Sequence, residues 1–218
     1  MDESLRRDAW RARAELRSGA LRGPALVERL LCVPSRDRDV WADELLDLPE
    51  PPPEDVSALP PGAVPYLPAG VEEILTMVRE APLRPDDQLV DLGSGLGRVV
   101  MLAHLLSGAR ALGVEIQKPL VQYAAACSGN LGLGGLSFVH ADAAETELDG
   151  SVFFLYSPFN GETLARVMRR LEAVARRRPI VLCAVDLELP SERWLQRRGT
   201  STPSLTLYDS RAPGDAGR

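Results

Sequence analysis

Hydrophobic positions recur along the chain with two different periods, and the change from one to the other divides it. Between residues 4 and 48 the apolar side chains fall at helical intervals. Leu5, Ala9, Trp10, Ala12 and Leu16 stand among charges, "PALVERLL" opens with Pro24 at a first helical position, and "DVWADELLDL" repeats the stripe through Trp41, Leu45, Leu46 and Leu48. Then "PEPPPEDVSALPPGAVPYLP" is dense in proline, which cannot donate to helix or sheet, and reads as a linker or an extended strap.

From Gly70 onward short apolar runs alternate with helical patterns. "VEEILTMVRE" predicts a helix, "QLVDLG" a buried strand, "LGRVVMLAHLLS" a helix, "ARALGVEI" a strand and "KPLVQYAAACSGN" a helix. "LSFVHAD", "SVFFLYSPF" and "PIVLCAVDLEL" predict three more strands, with "ETLARVMRRLEAVARR" a long helix before the last. The tail "RWLQRRGTSTPSLTLYDSR" reads as two strands around a "TSTP" turn, an antiparallel hairpin at one sheet edge; a helix over residues 191–198 competes for the same stretch. Alternation of this kind predicts an α/β fold: a mostly parallel, doubly wound sheet of seven strands covered by helices on both faces.

Composition narrows the function classes. A net charge of −6 over 218 residues argues against a dedicated nucleic-acid binder. No apolar run is long enough to span a bilayer, and "MDESLRRDAW" lacks the apolar centre of a signal peptide, so a cytoplasmic protein is expected. Three dispersed cysteines make no disulfide framework, and with two histidines no metal-ligand spacing exists. His104 and His140 are expected to be structural, Trp10 and Trp41 to be packing anchors, and "RRLEAVARRR" a solvated helix face.

The chemistry concentrates in "VDLGSGLGRVV", residues 90–100. A triphosphate-binding loop needs a Gly-Lys pair, which the stretch lacks. The dinucleotide fingerprint G-x-G-x-x-G, counted from Gly93 and Gly95, requires glycine where Arg98 stands; the third glycine is Gly97 instead. Asp91 directly before the turn would repel a pyrophosphate but suits a cation, and S-adenosylmethionine (SAM) carries a sulfonium and an ammonium. Glycine at 93 and 95 is expected to let the backbone approach that ligand closely. Glu115 ends the second strand, where a carboxylate can accept from ribose hydroxyls, and Asp142 ends the third, where it can accept from an adenine amino group. Three acids at three strand ends thus frame one crevice.

"VDLGSGLGRVV", "GVEI", "HADAAE" and "FFLYSPF" occur in the order and spacing of class I, seven-strand SAM-dependent methyltransferases, whose sheet is Rossmann-like; the resemblance covers residues 66–208. Within that superfamily the motifs resemble most the seven-strand protein lysine methyltransferases, and "YLPAGVEEIL" is similar to their entry segment. The resemblance implies SAM as cofactor and Asp91, Gly93, Ser94, Gly95, Gly97, Glu115, Ile116, Asp142, Ala143, Ser157 and Tyr66 as its contacts. After the fourth strand "YSPFN" is similar to the Asn/Asp-Pro-Pro-aromatic run of amino-group methyltransferases, with Ser at the first position and Phe for the second proline. This implies nitrogen methylation, with Tyr156, Ser157 and Phe159 positioning the acceptor. The Ser157 hydroxyl and the Tyr156 or Pro158 carbonyl would orient the nitrogen, Phe159 would wall the channel, and Asn160 is a further polar candidate.

Three units are therefore expected: residues 1–48 as a helical lid or an association element joining two copies, 49–65 as a Pro-rich linker, and 66–218 as a methyltransferase domain. The acceptor is a protein amine or a small molecule, with neither membrane nor nucleic acid as partner. Two other readings compete, a SAM-binding scaffold without catalysis and, weakened by Arg98, an NAD-dependent oxidoreductase.

Overall fold

The computed structural model describes residues 1–52, 59, 64–81 and 83–211. Most of the Pro-rich segment assigned as linker, residues 53–58 and 60–63, lies outside the described residues. Three amino-terminal helices come first: α1 (Glu3–Arg17), α2 (Pro24–Cys32) and α3 (Ser35–Leu46). Asp2 caps α1 by accepting the Leu5 amide at 2.8 Å, and Pro24 opens α2, where its missing N–H costs nothing. After α4 (Val71–Glu80) the strands and helices alternate: β1 (Gln88–Leu92), α5 (Arg98–Ser107), β2 (Arg110–Glu115), α6 (Lys118–Asn130) and β3 (Leu136–His140). Then come β4 (Val152–Tyr156), α7 (Gly161–Ala175), β5 (Val181–Val185), β6 (Leu195–Gly199) and β7 (Leu205–Ser210).

The seven strands form one sheet in the order β3-β2-β1-β4-β5-β7-β6, in which β7 alone runs antiparallel to its neighbours. This is the doubly wound, Rossmann-like arrangement with an antiparallel carboxyl-terminal hairpin that the pattern predicts. At residues 191–198 the strand prevails over the helix. Leu195 to Gly199 pair with Ser210 to Thr206, and the turn between the strands is held on α4, where the buried Thr76 and Thr202 hydroxyls bond at 2.7 Å.

Strand alternation sorts the core into two layers. Leu89, Phe154 and Cys183 face a layer completed by α1 to α5, with Trp41, Leu45 and Met77 fully buried. Val90, Leu92, Phe153 and Leu182 face the opposite layer, filled by Val167, Met168 and Leu171 of α7. Trp41 is thus the anchor expected of it, and its indole N–H donates to Asp8. Trp10 is not: it is 53% exposed, its indole N–H donating to Glu44.

The amino-terminal helices share the first layer with the sheet. A buried cation is among their links to it. Arg98, the first residue of α5, donates through Nε and Nη2 to the two carboxylate oxygens of Asp43 on α3, at 2.8 and 2.5 Å, and through Nη1 to the Ala69 carbonyl at 2.7 Å. Burial pushes the Asp43 carboxyl up, and the Arg98 charge only partly offsets it. Removing one partner would strand the other's charge. Asp43→Ala is therefore expected to cost about 2–3 kcal/mol, below the range for fully buried pairs because Asp43 is 35% exposed. Urea unfolding at neutral pH measures it as a lowered midpoint at unchanged slope.

Candidate active site

The order of the strands reverses between β1 and β4, and in open α/β sheets the crevice beyond the carboxyl ends at such a point is where ligands sit. In register, Asp91 lies between Gly113 of β2 and Phe154 of β4. Alternation then places Glu115 and Tyr156, each two residues further on, on the same face as Asp91. A cleft of about 840 Å³, counting its open mouth, lies there. Of the residues predicted to bind or position ligand, Tyr66, Gly93, Glu115, Ile116, Asp142, Ala143, Tyr156, Ser157 and Phe159 line it. Asp91 and Ser94 line a smaller adjoining hollow, which shares Tyr66, Leu67, Gly93 and Tyr156 with the cleft.

The glycine turn is bound back to β2: the Gly93 and Ser94 amides both donate to the Val114 carbonyl, at 2.8 and 3.1 Å. Gly93, Gly95 and Gly97 all have positive φ, which a side chain rarely tolerates. Their missing Cβ atoms make room for protein rather than directly for ligand. A Cβ on Gly93 would lie 2.6 Å from Pro158, one on Gly97 2.5 Å from the Phe138 ring, and one on Gly95 2.0 Å from the Tyr66 ring. Gly95 and Gly97 accordingly line neither hollow, contrary to the expected direct approach at Gly95. Gly97 instead seats α5 against β3.

The acids differ in their surroundings. Asp91 is 2% exposed, and among the described residues its carboxylate has no hydrogen-bond partner. Burial, reinforced by the negative charge of Glu115, holds its carboxyl well above the usual range. The Ser94 hydroxyl beside it is also buried and unpartnered. Glu115 accepts the Gly95 amide on one oxygen and the Gln117 amide on the other, both at 2.8 Å. Asp142 combines both roles open to it, capping the following turn through the Ala144 amide at 2.8 Å while lining the cleft.

A strap closes the crevice. The Val64 amide donates to the Pro158 carbonyl at 3.2 Å, so the segment before α4 is pinned to the loop after β4. Tyr66 lies over Gly95, and burial pushes its hydroxyl up to about 12. In a dinucleotide enzyme the pyrophosphate occupies this place, at the start of the first helix. Tyr66 fills it here.

The loop after β4 behaves differently from its sequence reading. Ser157 is held at φ 39, and its hydroxyl donates to the Asp186 carbonyl at 2.8 Å, turned toward β5 rather than toward an acceptor. The Pro158 carbonyl is engaged by Val64. Phe159 is 7% exposed, packed in the α7 layer with one edge on the cleft. Asn160 is exposed at the start of α7 and lines no part of the cleft. Tyr156 lines both hollows, its hydroxyl pushed up by burial and by the negative Asp186 and Glu73. His104 bonds the Ala109 carbonyl and His140 the Ile116 carbonyl, both structural as expected.

Sequence reasoning missed Val64, Leu67, Gln117 and Thr163 in the lining. Gln117, two residues after Glu115, was findable by position; the strap residues carry no spacing that betrays them. Residues 1–48 contribute none of the lining. Among the described residues no group of His, Cys, Asp and Glu could hold a metal, and no helix is long and apolar enough to cross a membrane.

Comparison with known proteins agrees with this geometry. Residues 68–132, from before α4 to the end of α6, match the family model described as histone methylation protein DOT1. No curated protein matches the chain. Among solved structures, an RNA methyltransferase from Salinibacter ruber in complex with S-adenosyl-L-homocysteine is 25% identical, with a TM-score of 0.55 over 70% of this chain and 100% of that one. A putative methyltransferase from Escherichia coli is 18% identical, with a TM-score of 0.55 over 69% and 90% of the two chains. A SAM-dependent methyltransferase from Aquifex aeolicus is 14% identical, with a TM-score of 0.51 over 63% and 88%. The chain has the Rossmann-like fold of class I methyltransferases.

Proposed function

We propose that the protein is a SAM-dependent methyltransferase whose acceptor is an amine. The observation that carries the first part is the pair of acids, Asp91 buried without a partner and Glu115 beside it, at the switch point of a methyltransferase fold. An uncompensated carboxylate at that depth fits a ligand that brings positive charge and N–H donors, and the neighbouring Ser94 hydroxyl is a further unused polar group. The ammonium of SAM would be held by Asp91, its ribose by Glu115 and its adenine between Ile116, Ala143 and Phe159, with Asp142 at the amino edge. Arg98 and the Tyr66 hydroxyl at the mouth of α5 speak against NAD.

When bound, SAM supplies a methyl group on a cationic sulfur, already activated for in-line displacement. What remains for the chain is alignment and exclusion of water. The strap from Val64 to Leu67 roofs the crevice, and Tyr156 and Phe159 wall its acceptor side. No side chain is assigned as general base, because both histidines are committed to backbone carbonyls. An amine acceptor is supported by the negative charges of Asp186 and Glu73, which help to push the Tyr156 hydroxyl up, and by the likeness of "YSPFN" to the motif of amino-group enzymes. The orientation of Ser157 favours a second reading, a SAM-binding module without turnover. Formation of S-adenosylhomocysteine with any acceptor fraction rules that reading out.

Three outcomes test the proposal. Asp91→Asn should weaken SAM binding about 10- to 150-fold, the worth of a hydrogen bond to a charged group, as measured by titration calorimetry; absence of binding by the wild type overturns the proposal.

The same variant should melt at a higher temperature than the wild type when ligand-free at pH 7. A carboxyl whose value is raised on folding favours the folded state at low pH, and this contribution is lost as pH rises toward the raised value. The gain from Asn should therefore shrink as pH is lowered toward 4. SAM binding by the wild type should weaken on acidification, which titration calorimetry over a pH series reads directly.

Methyl-labelled SAM incubated with a fractionated cell lysate should place label in proteins or small amines; label confined to nucleic acid would overturn the amine assignment.

A further inference from the structure

A cation at the first turn of a helix opposes the helix dipole. Arg98 nonetheless occupies the first position of α5, 6% exposed, with each of its three nitrogens bonded outside the helix. Two of the bonds reach Asp43 on α3 and the third reaches the carbonyl of Ala69, at the end of the strap. One turn earlier on α3, Asp39 accepts the Val71 amide at 2.7 Å, on the other side of Gly70. The two α3 carboxylates thereby grip the chain on both sides of Gly70, one directly and one through Arg98. The far end of the strap is pinned independently by the bond from Val64 to Pro158. Between the two pins Tyr66 lies on Gly95, and it borders both the cleft and the hollow that holds Asp91.

We infer that Arg98 and Asp43 are positioning residues, which use the amino-terminal helices as a fixed anchor to hold the strap closed over the glycine turn. Residues 1–48 then act on the site without touching it. Their effect on the methyl donor, which rests on the function proposed above, is to slow its escape once it lies beneath Tyr66 and Leu67. A pair that only glued α3 to the sheet would stabilise the whole fold and leave the strap no more ordered than its neighbours.

Asp43→Asn keeps the size of the side chain and removes its charge. Arg98→Lys keeps the charge but cannot bond two carboxylate oxygens and a carbonyl at once. In ligand-free protein, amide hydrogen exchange at Val64 and Val71 should accelerate about ten-fold or more in both variants. Amides of the central strands, such as Leu155 and Ala184, exchange through global unfolding and should accelerate only by the factor that the urea-measured loss of stability sets. With SAM, both variants should show faster dissociation of the donor and a KM for SAM that rises more than kcat falls. Wild-type exchange in the strap overturns the inference, as does strap exchange with the full denaturant dependence of the central strands, which would mean that the strap opens only with the whole fold. The exchange measurement needs no ligand, so it decides the positioning role even if the wild type fails to bind SAM, a failure that would count against the proposed function alone.

Discussion

A carboxylate buried without a partner is a standing cost, and the arrangement around Asp91 keeps it in place. β1 carries it to the centre of the sheet, where Gly113 and Phe154 flank it and neither offers a donor. Glu115 makes the position more negative still. The glycine turn curls back onto the Val114 carbonyl and leaves the Ser94 hydroxyl unbonded beside it. This local instability has a simple functional meaning. Under the function proposed above, a ligand that brings positive charge would offset that cost, and specificity for positive charge would follow from burial as much as from contact.

On the proposed reading, the remainder of the crevice disfavours a dinucleotide by occupation. The start of α5, an anion site in dinucleotide enzymes, is taken by the Tyr66 hydroxyl on one side and by the Arg98 side chain on the other. Arg98 at the third-glycine position therefore has a structural consequence beyond breaking a motif. It places a guanidinium where the strap, α3 and the sheet converge, and so connects helices that line no part of the cleft to the segment that covers it.

Much of this was legible in the order of residues. The elements from α4 to β7 were readable because each carries a strong local period, and the seven-strand sheet because strands and helices alternate. The acids Asp91, Glu115 and Asp142 were readable because strand ends are marked by the glycines and turns that follow them. Less legible was the tail, where Leu195 to Gly199 fit either a helix or a strand; pairing with β7, a contact made across the turn, settled it. The loop after β4 is expected at the acceptor from its place at a strand's carboxyl end and from its resemblance to a family motif, and its orientations differ: Ser157 faces β5, the Pro158 carbonyl is spent on Val64 and Asn160 lies outside the cleft. Hydrogen bonds to residues about 30 to 90 positions away decide those orientations, and no local pattern records them.

By itself the sequence determined the alternation of elements, the face of each strand, and the spacing that separates this turn from phosphate-binding loops. All three are properties of neighbours within a few residues, set by backbone sterics and side-chain period. Only the tertiary structure decided what fills the space beside the glycines, which carboxylate stays unpartnered, and how the amino-terminal helices are joined to the strap. Those depend on which surfaces meet when distant segments pack. Tyr66 above Gly95 and Asp43 against Arg98 are pairs that burial brings together, and the free energy of an ion or a ring in such a place is set by everything around it.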